Sequence, residues 1–287
     1  MTGIDFHQHL WGDAFRRALE RRTEPPYLRA DRLMLPHGGT FEVDPLAYSP
    51  AARLAELDEQ GLAHAVVSLA PTTEPTRDLV EVWHEEALQV KASSGGRLVP
   101  LAYREARSEF VGAIVPATDL VDLDGAASLF SRLEQQGQFA FVHPAAADSV
   151  GPQWRIAGLS YTHQMLQAYA SWITDGVRRW PQLQVVFALL GGGAAFQIER
   201  FVRRGLDPRA PFAPNIWFET SSYGERALEL SLQMFGAGRH LFGSDAPIDA
   251  VGEARAVAGR FGAALERELV AANPLTLLAA ERHRWAA

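Results

Sequence analysis

The sequence predicts a single parallel α/β barrel of eight strands. Three observations carry that expectation. Eight short runs rich in Val, Ile and Leu punctuate the chain, as strands buried on both faces require. Helical stretches separate consecutive runs, the pattern of repeated βα units. The length of 287 residues is close to the size at which one such barrel closes.

In chain order the expected strands are 3–6, 63–69, 98–102, 110–115, 139–142, 183–189, 215–218 and 240–242. Between the first two, the stretch 11–44 holds Pro25-Pro26, Pro36 and Gly38-Gly39, fits no simple βα unit and is expected to be an inserted, lid-like excursion. Ser49-Pro50 then opens a helix that runs through Leu54 and Leu57 to Gly61, with an N-cap, a Pro at the first position and a glycine stop. Trp180-Pro181 closes a later helix, and the end of the chain, 282–287, is expected to be a helix end or tail. Residues 1–287 read as one domain.

Composition narrows the function. Hydrophobic residues make up 47% of the chain, ample for a core, and the net charge of −7 argues against a nucleic-acid surface and for a small-molecule partner. The pairs Arg16-Arg17, Arg178-Arg179 and Arg203-Arg204 read as solvated helix surface. With no cysteine, disulfides, thiolate ligands and a Cys nucleophile are excluded, so any metal must be held by His, Asp or Glu. The residues from Met1 to Asp5 carry no signal-peptide pattern, and no apolar run is long enough to span a membrane, so a cytoplasmic location without membrane partners is expected.

Parallel barrels carry their chemistry at the C-terminal ends of the strands. Collecting the polar residues there gives Asp5, His7 and His9 after the first run, Pro71 and Thr72 after the second, Arg104 and Glu105 after the third, His143 after the fifth, Glu219 after the seventh and Asp245 after the eighth. His7 and His9 are two apart, a spacing that sends both imidazoles to one face of a strand. Alone, each residue has a plain structural role open to it: hydrogen-bonded interior histidines, a loop His before Pro144, a helix N-cap at Asp245. Together, three imidazoles and a carboxylate converge on one mouth, a ligand set suited to Zn and tolerable for Mn or Fe. Arg104 and Glu219 are candidates for substrate contact; Trp11 and Tyr223 are candidate flat walls for an aromatic ligand. His64, His84 and His240 read as structural, and Gly191-Gly192-Gly193 as a tight turn or, alternatively, an anion cradle.

Several motifs resemble the amidohydrolase-2 branch of the amidohydrolase superfamily, which includes aminocarboxymuconate semialdehyde decarboxylase and related aromatic carboxy-lyases. They are Ile4-Asp5-Phe6-His7-Gln8-His9-Leu10, the helix Arg53-Leu54-Ala55-Glu56-Leu57-Asp58-Glu59-Gln60-Gly61, Phe141-Val142-His143-Pro144, Trp180-Pro181-Gln182-Leu183 and Leu241-Phe242-Gly243-Ser244-Asp245-Ala246-Pro247. The first also resembles the neighbouring lactonase group. The resemblance implies a divalent metal on His7, His9, His143 and Asp245 and, by family analogy, a homodimer; Asp245 is further expected to pass the proton. It also implies a strand-six histidine before a Gly-Gly turn, and Leu189 stands there instead. The expected function is therefore a metal-dependent hydrolase or carboxy-lyase for a small carboxylated cyclic or aromatic compound, with His163, Glu219 or His37 as substitute proton carriers. The alternatives are an inert metabolite-binding barrel and a metal-independent lactonase.

Overall fold

The computed structural model describes residues 3–36, 39–147 and 152–279. Its main strands are β1 (Ile4–His9), β2 (His64–Ser68), β3 (Leu98–Pro100, resuming as Ala102–Tyr103), β4 (Gly112–Pro116), β5 (Phe139–His143), β6 (Val185–Phe187), β7 (Ile216–Glu219) and β8 (His240–Leu241). Each pairs in parallel with its neighbour in sequence; the first part of β3 pairs with β2 and the second with β4. Leu101, between the two parts, still donates its N–H to Val67 O at 2.9 Å. The ring closes where β1 meets the segment after β8: Phe6 N donates to Phe242 O at 2.8 Å, Asp245 N to His7 O at 2.8 Å and His9 N to Ala246 O at 2.7 Å. The expected (β/α)8 barrel is the fold. Among the described residues, no helix is long and apolar enough to cross a membrane.

Helix α1 (Asp13–Arg21) opens the excursion, followed by a small antiparallel sheet of Tyr27–Arg29, Arg32–Met34 and Thr40–Glu42. The segment is packed rather than loose. Phe15, Leu19, Leu28 and Leu33 are buried with Leu79 and Trp83 of the helix Arg77–Ser93, in a cluster of their own. From that same helix Glu86 accepts the N–H groups of Ala14 and Phe15 at 2.6 and 2.9 Å, supplying the cap that α1 lacks in its own sequence. His37, one of the proposed proton carriers, and 282–287 lie outside the described residues.

Helix α2 (Pro50–Gln60) has the expected ends: Ser49 Oγ accepts from Ala52 N at 3.3 Å, and Gly61 stops it with φ of 64°. Strand β6 is shorter than the expected 183–189, because Leu189 and Leu190 already adopt φ of 55° and 48°. Gly191, Gly192 and Gly193 continue at 62°, 66° and 72°, so the five residues make a left-handed turn, the tight-turn reading of this segment. A left-handed L-residue costs about 1–2 kcal/mol, and glycines avoid that cost. Gly192 has a second reason to be glycine: a Cβ there would lie 2.4 Å from Thr162 O of helix α3 (Thr162–Ser171).

These two glycines make a comparison. Gly61 has open space around it, so Gly61→Ala is expected to cost about 1–2 kcal/mol from backbone conformation alone. Gly192→Ala adds a backbone clash and is expected to cost about 2–5 kcal/mol in urea unfolding; equal losses would contradict this packing of the turn.

Candidate metal centre

The site begins with an irregularity in β1. Ile4 and Asp5 pair with His64 and Ala65, while Gln8 and His9 pair with Val67 and Ser68, so β1 spends one more residue than its partner between the two registers. Asp5 and Gln8 thus share a face with Ala65 and Val67, which pack among the helices with Leu57 and Val251. His7 and His9 face the other way. Asp5, which simple alternation would put beside the two histidines, is on the opposite side of the strand.

The three imidazoles form a near-equilateral group, with centroids 5.0 Å apart for His7 and His9, and 5.1 Å from each to His143. Asp245 Oδ1 lies 2.9 Å from His9 Nε2 and 3.4 Å from His7 Nε2. One ligand atom from each of the four residues fits within 4.8 Å of the others. Neither contact of Asp245 Oδ1 has hydrogen-bond geometry, and both His7 Nε2 and Asp245 Oδ1 are buried with no hydrogen-bond partner among the described residues. The outer nitrogens, by contrast, are held: His7 Nδ1 by Glu219 Oε2 at 2.9 Å and Ser221 Oγ at 3.2 Å, His9 Nδ1 by Ser68 Oγ at 3.2 Å, and His143 Nδ1 by Pro144 O at 2.8 Å. Anchoring each Nδ1 leaves Nε2 as the free donor atom, the arrangement of a metal-ligating histidine. Residues with unsatisfied buried atoms on the inside and fixed orientation on the outside fit a divalent cation.

Electrostatics point the same way. Burial would keep His7 neutral, but the Asp245 and Glu219 carboxylates override it and raise its pKa to about 9. His9 is lowered chiefly by burial, and His143 well below the usual value by burial and by the other two imidazoles. Burial disfavours the Asp245 carboxylate, yet the imidazoles hold its pKa down to about 2. A proton and a cation are therefore competitors for His7.

Asp245 is aimed by a clip. Asp5 Oδ1 accepts from His7 N at 3.1 Å and Ser244 N at 3.0 Å, and its Oδ2 accepts from Ser244 Oγ at 2.6 Å and Gln8 Nε2 at 2.8 Å. Burial pushes Asp5 up to about 6 in spite of these donors. Asp245 itself has φ of 66°. Gly243 leaves room for Glu219, since a Cβ there would lie 2.2 Å from the Glu219 carboxylate.

The other expected site residues are less concentrated. Glu219 is fully buried behind His7 and also accepts from Leu189 N at 3.3 Å, so it supports a ligand instead of meeting substrate at the mouth. Arg104 is half exposed and spent on Asp119, at 2.8 Å through Nε and 3.1 Å through Nη2; substrate contact by this residue has no support. Trp11 is buried and stacked on Tyr48 at 4.3 Å. Tyr223 O–H is 3.5 Å from Thr162 Oγ1, and His163 is exposed. His64, His84 and His240 are bonded to Gly96 O, Tyr103 N, and Ser231 with Gly236 O, all structural partners. Sequence reasoning missed Ser68, which ends β2, Ser221 and Ser244, which lie two and three residues past β7 and β8, and missed Tyr48 and Tyr161, whose phenols lie within the electrostatic reach of Asp245.

Partners that only orient a ligand commonly change metal affinity 10- to 100-fold. Glu219→Gln, Asp5→Asn and Ser244→Ala are each expected to weaken Zn binding by at least about tenfold in a chelator competition, while Arg104→Ala leaves it unchanged. Wild-type affinity in the folded Glu219 and Ser244 variants would contradict the support assigned here.

No protein-family profile matches the chain, and no curated protein is similar to it in sequence. Solved structures are similar in shape. The apo IDCase of Metarhizium anisopliae superposes with a TM-score of 0.80 at 20% identity, covering 98% of this chain and 97% of that one. The 2,6-dihydroxybenzoate decarboxylase from Rhizobium gives 0.70 at 18%, covering 97% and 99%. The 5-carboxyvanillate decarboxylase of Novosphingobium aromaticivorans, complexed with manganese and 4-hydroxy-3-methoxy-5-nitrobenzoic acid, gives 0.70 at 17%, covering 97% and 96%. A further solved structure, described as an amidohydrolase II, gives 0.74 at 14%. The chain has the (β/α)8 fold shared by these decarboxylases and the amidohydrolase.

Proposed function

We propose that this protein is a metal-dependent carboxy-lyase or hydrolase acting on a small carboxylated cyclic or aromatic compound. One observation carries the proposal: His7 Nε2 and Asp245 Oδ1 are buried without a partner among the described residues, inside a cage of four candidate ligand residues. Leaving each such atom unbonded costs about 1–3 kcal/mol, and a cation on His7, His9, His143 and Asp245 would satisfy both. Three imidazoles and one carboxylate suit Zn, with Mn or Fe tolerated; manganese in the similarly folded Novosphingobium decarboxylase supports a divalent ion of this class. When bound, such an ion supplies a Lewis acid for a substrate oxygen and acidifies water.

The chain's own residues do the remaining work. Glu219, Ser68 and Pro144 O fix the three imidazoles through Nδ1. In this reading Asp245 is the carboxylate that accepts a proton at the reacting centre and hands it on. Leu189 moves no proton and Glu219 is engaged behind His7, so Asp245 is the acid-base group assigned here among the described residues of the cage. The names of the similarly folded enzymes support a carboxy-lyase; Leu189 favours hydrolysis, where water delivers the proton. A retained, cation-ready cage argues against an inert binding barrel.

The purified protein is expected to hold about one equivalent of Zn, Mn or Fe, lost in a His7→Ala/His9→Ala variant, and to turn over an aromatic acid or cyclic ester in a screen that includes 2,6-dihydroxybenzoate and 5-carboxyvanillate. A metal-free protein that cannot be loaded, or activity that survives chelation, would contradict the proposal. Because the proton on His7 competes with the ion, metal affinity is expected to fall as pH falls below about 9, by roughly tenfold per unit for one displaced proton; an affinity flat from pH 8 to pH 6 would count against the cage as the binding site.

A further inference from the structure

We propose that Trp11 and Tyr48 form the substrate-recognition wall of this site, presenting the indole N–H and the phenol O–H to an oxygen substituent on the ring of an aromatic acid. The inference rests on the reading of the cage as the centre of a metal-dependent enzyme for such acids, and it names the substrate feature that the wall selects.

Beyond β1 the chain keeps its backbone hydrogen bonds to neighbouring segments. Leu10 N donates to Ser68 O at 3.1 Å and Trp11 N to Tyr48 O at 3.0 Å. Leu10 falls in the layer with Leu57 and Val67, so alternation returns Trp11 to the side of His7 and His9. The indole is 3% exposed, and its Nε1 has no hydrogen-bond partner among the described residues. Buried indole N–H groups are ordinarily bonded: those of Trp83, Trp180 and Trp217 donate to Leu10 O, Ser131 Oγ and Gln184 Oε1 at 2.9, 3.0 and 2.8 Å. Trp172 Nε1 is also unpartnered, but it sits in the aromatic core against Phe130 and Trp180, not beside the ligand strand.

Tyr48 supplies the second donor. Its ring stacks on Trp11 at 4.3 Å with an interplanar angle of 17°, and its hydroxyl makes no hydrogen bond among the described residues. Burial first, and then the charge of Asp245, hold the phenol above its usual pKa against the opposing Arg53, so it keeps its proton and donates. Arg104, the cation that the sequence offered for a substrate carboxylate, is paired with Asp119. Two uncharged donors beside an anionic ligand residue select a hydroxyl, methoxy or carbonyl oxygen over a further carboxylate.

Calorimetric titration of the Zn-loaded protein with benzoate and with ortho, meta and para hydroxybenzoate tests this. At least one hydroxybenzoate is expected to bind roughly tenfold tighter than benzoate, the effect of about one net hydrogen bond. Trp11→Phe and Tyr48→Phe, which keep the stacked rings and are expected to keep the metal, should each lower that advantage to roughly threefold or less, a loss of part or most of that bond. An advantage that survives both substitutions, as direct chelation by the ortho isomer would produce, overturns the inference. So does equal binding of all four acids. If the Zn-loaded protein binds none of them, the aromatic-acid reading fails and the recognition wall falls with it.

Discussion

The seam between β1 and the segment after β8 is the constraint on which the site depends. His7 and Asp245 are far apart in sequence, yet Asp245 N donates to His7 O at 2.8 Å, and the Asp5 carboxylate clamps His7 N and Ser244 together across the same seam. Closing the barrel therefore assembles the cage. The extra residue in β1 is what makes both uses of one strand compatible, because it sends Asp5 to the helix side and His7 and His9 to the interior.

Around that seam, polar groups inside the barrel fall into two kinds. The outer atoms of the ligands are satisfied by Glu219, Ser68, Ser221 and Pro144 O. The inner atoms of His7 and Asp245 are not, among the described residues. A folded core rarely leaves such a deficit without use, and its placement at the C-terminal end of the strands is where barrels carry their chemistry. Leu189 sets the limit on that chemistry. Its backbone helps hold Glu219, but its side chain contributes no acid or base, which is why the proposed function gives proton movement to Asp245.

The four residues of the candidate cage were legible in the sequence because their convergence follows from rules that need no tertiary detail. A strand alternates, so His7 and His9 share a face; polar residues after apolar runs collect at one mouth, so His143 and Asp245 join them. What was not legible depends on partners remote in sequence. The irregularity in β1 is defined only by pairing with β2, so the face that Asp5 takes was not readable from the sequence. Glu219 satisfies the same positional rule as a substrate contact, and only the distance to His7 Nδ1 shows that it stands behind a ligand. Arg104 is drawn to Asp119 fifteen residues on, and β6 ends early because Leu189 and Leu190 turn left-handed ahead of the glycines.

The most direct test of the central claim is an anomalous-diffraction crystal structure of the Zn-loaded protein. The account expects one strong anomalous peak at the barrel mouth, bonded to His7 Nε2, His9, His143 and Asp245 Oδ1, with Glu219 still on His7 Nδ1. Zinc found only at surface carboxylates or histidines, with the four residues hydrogen-bonded to one another, would contradict it.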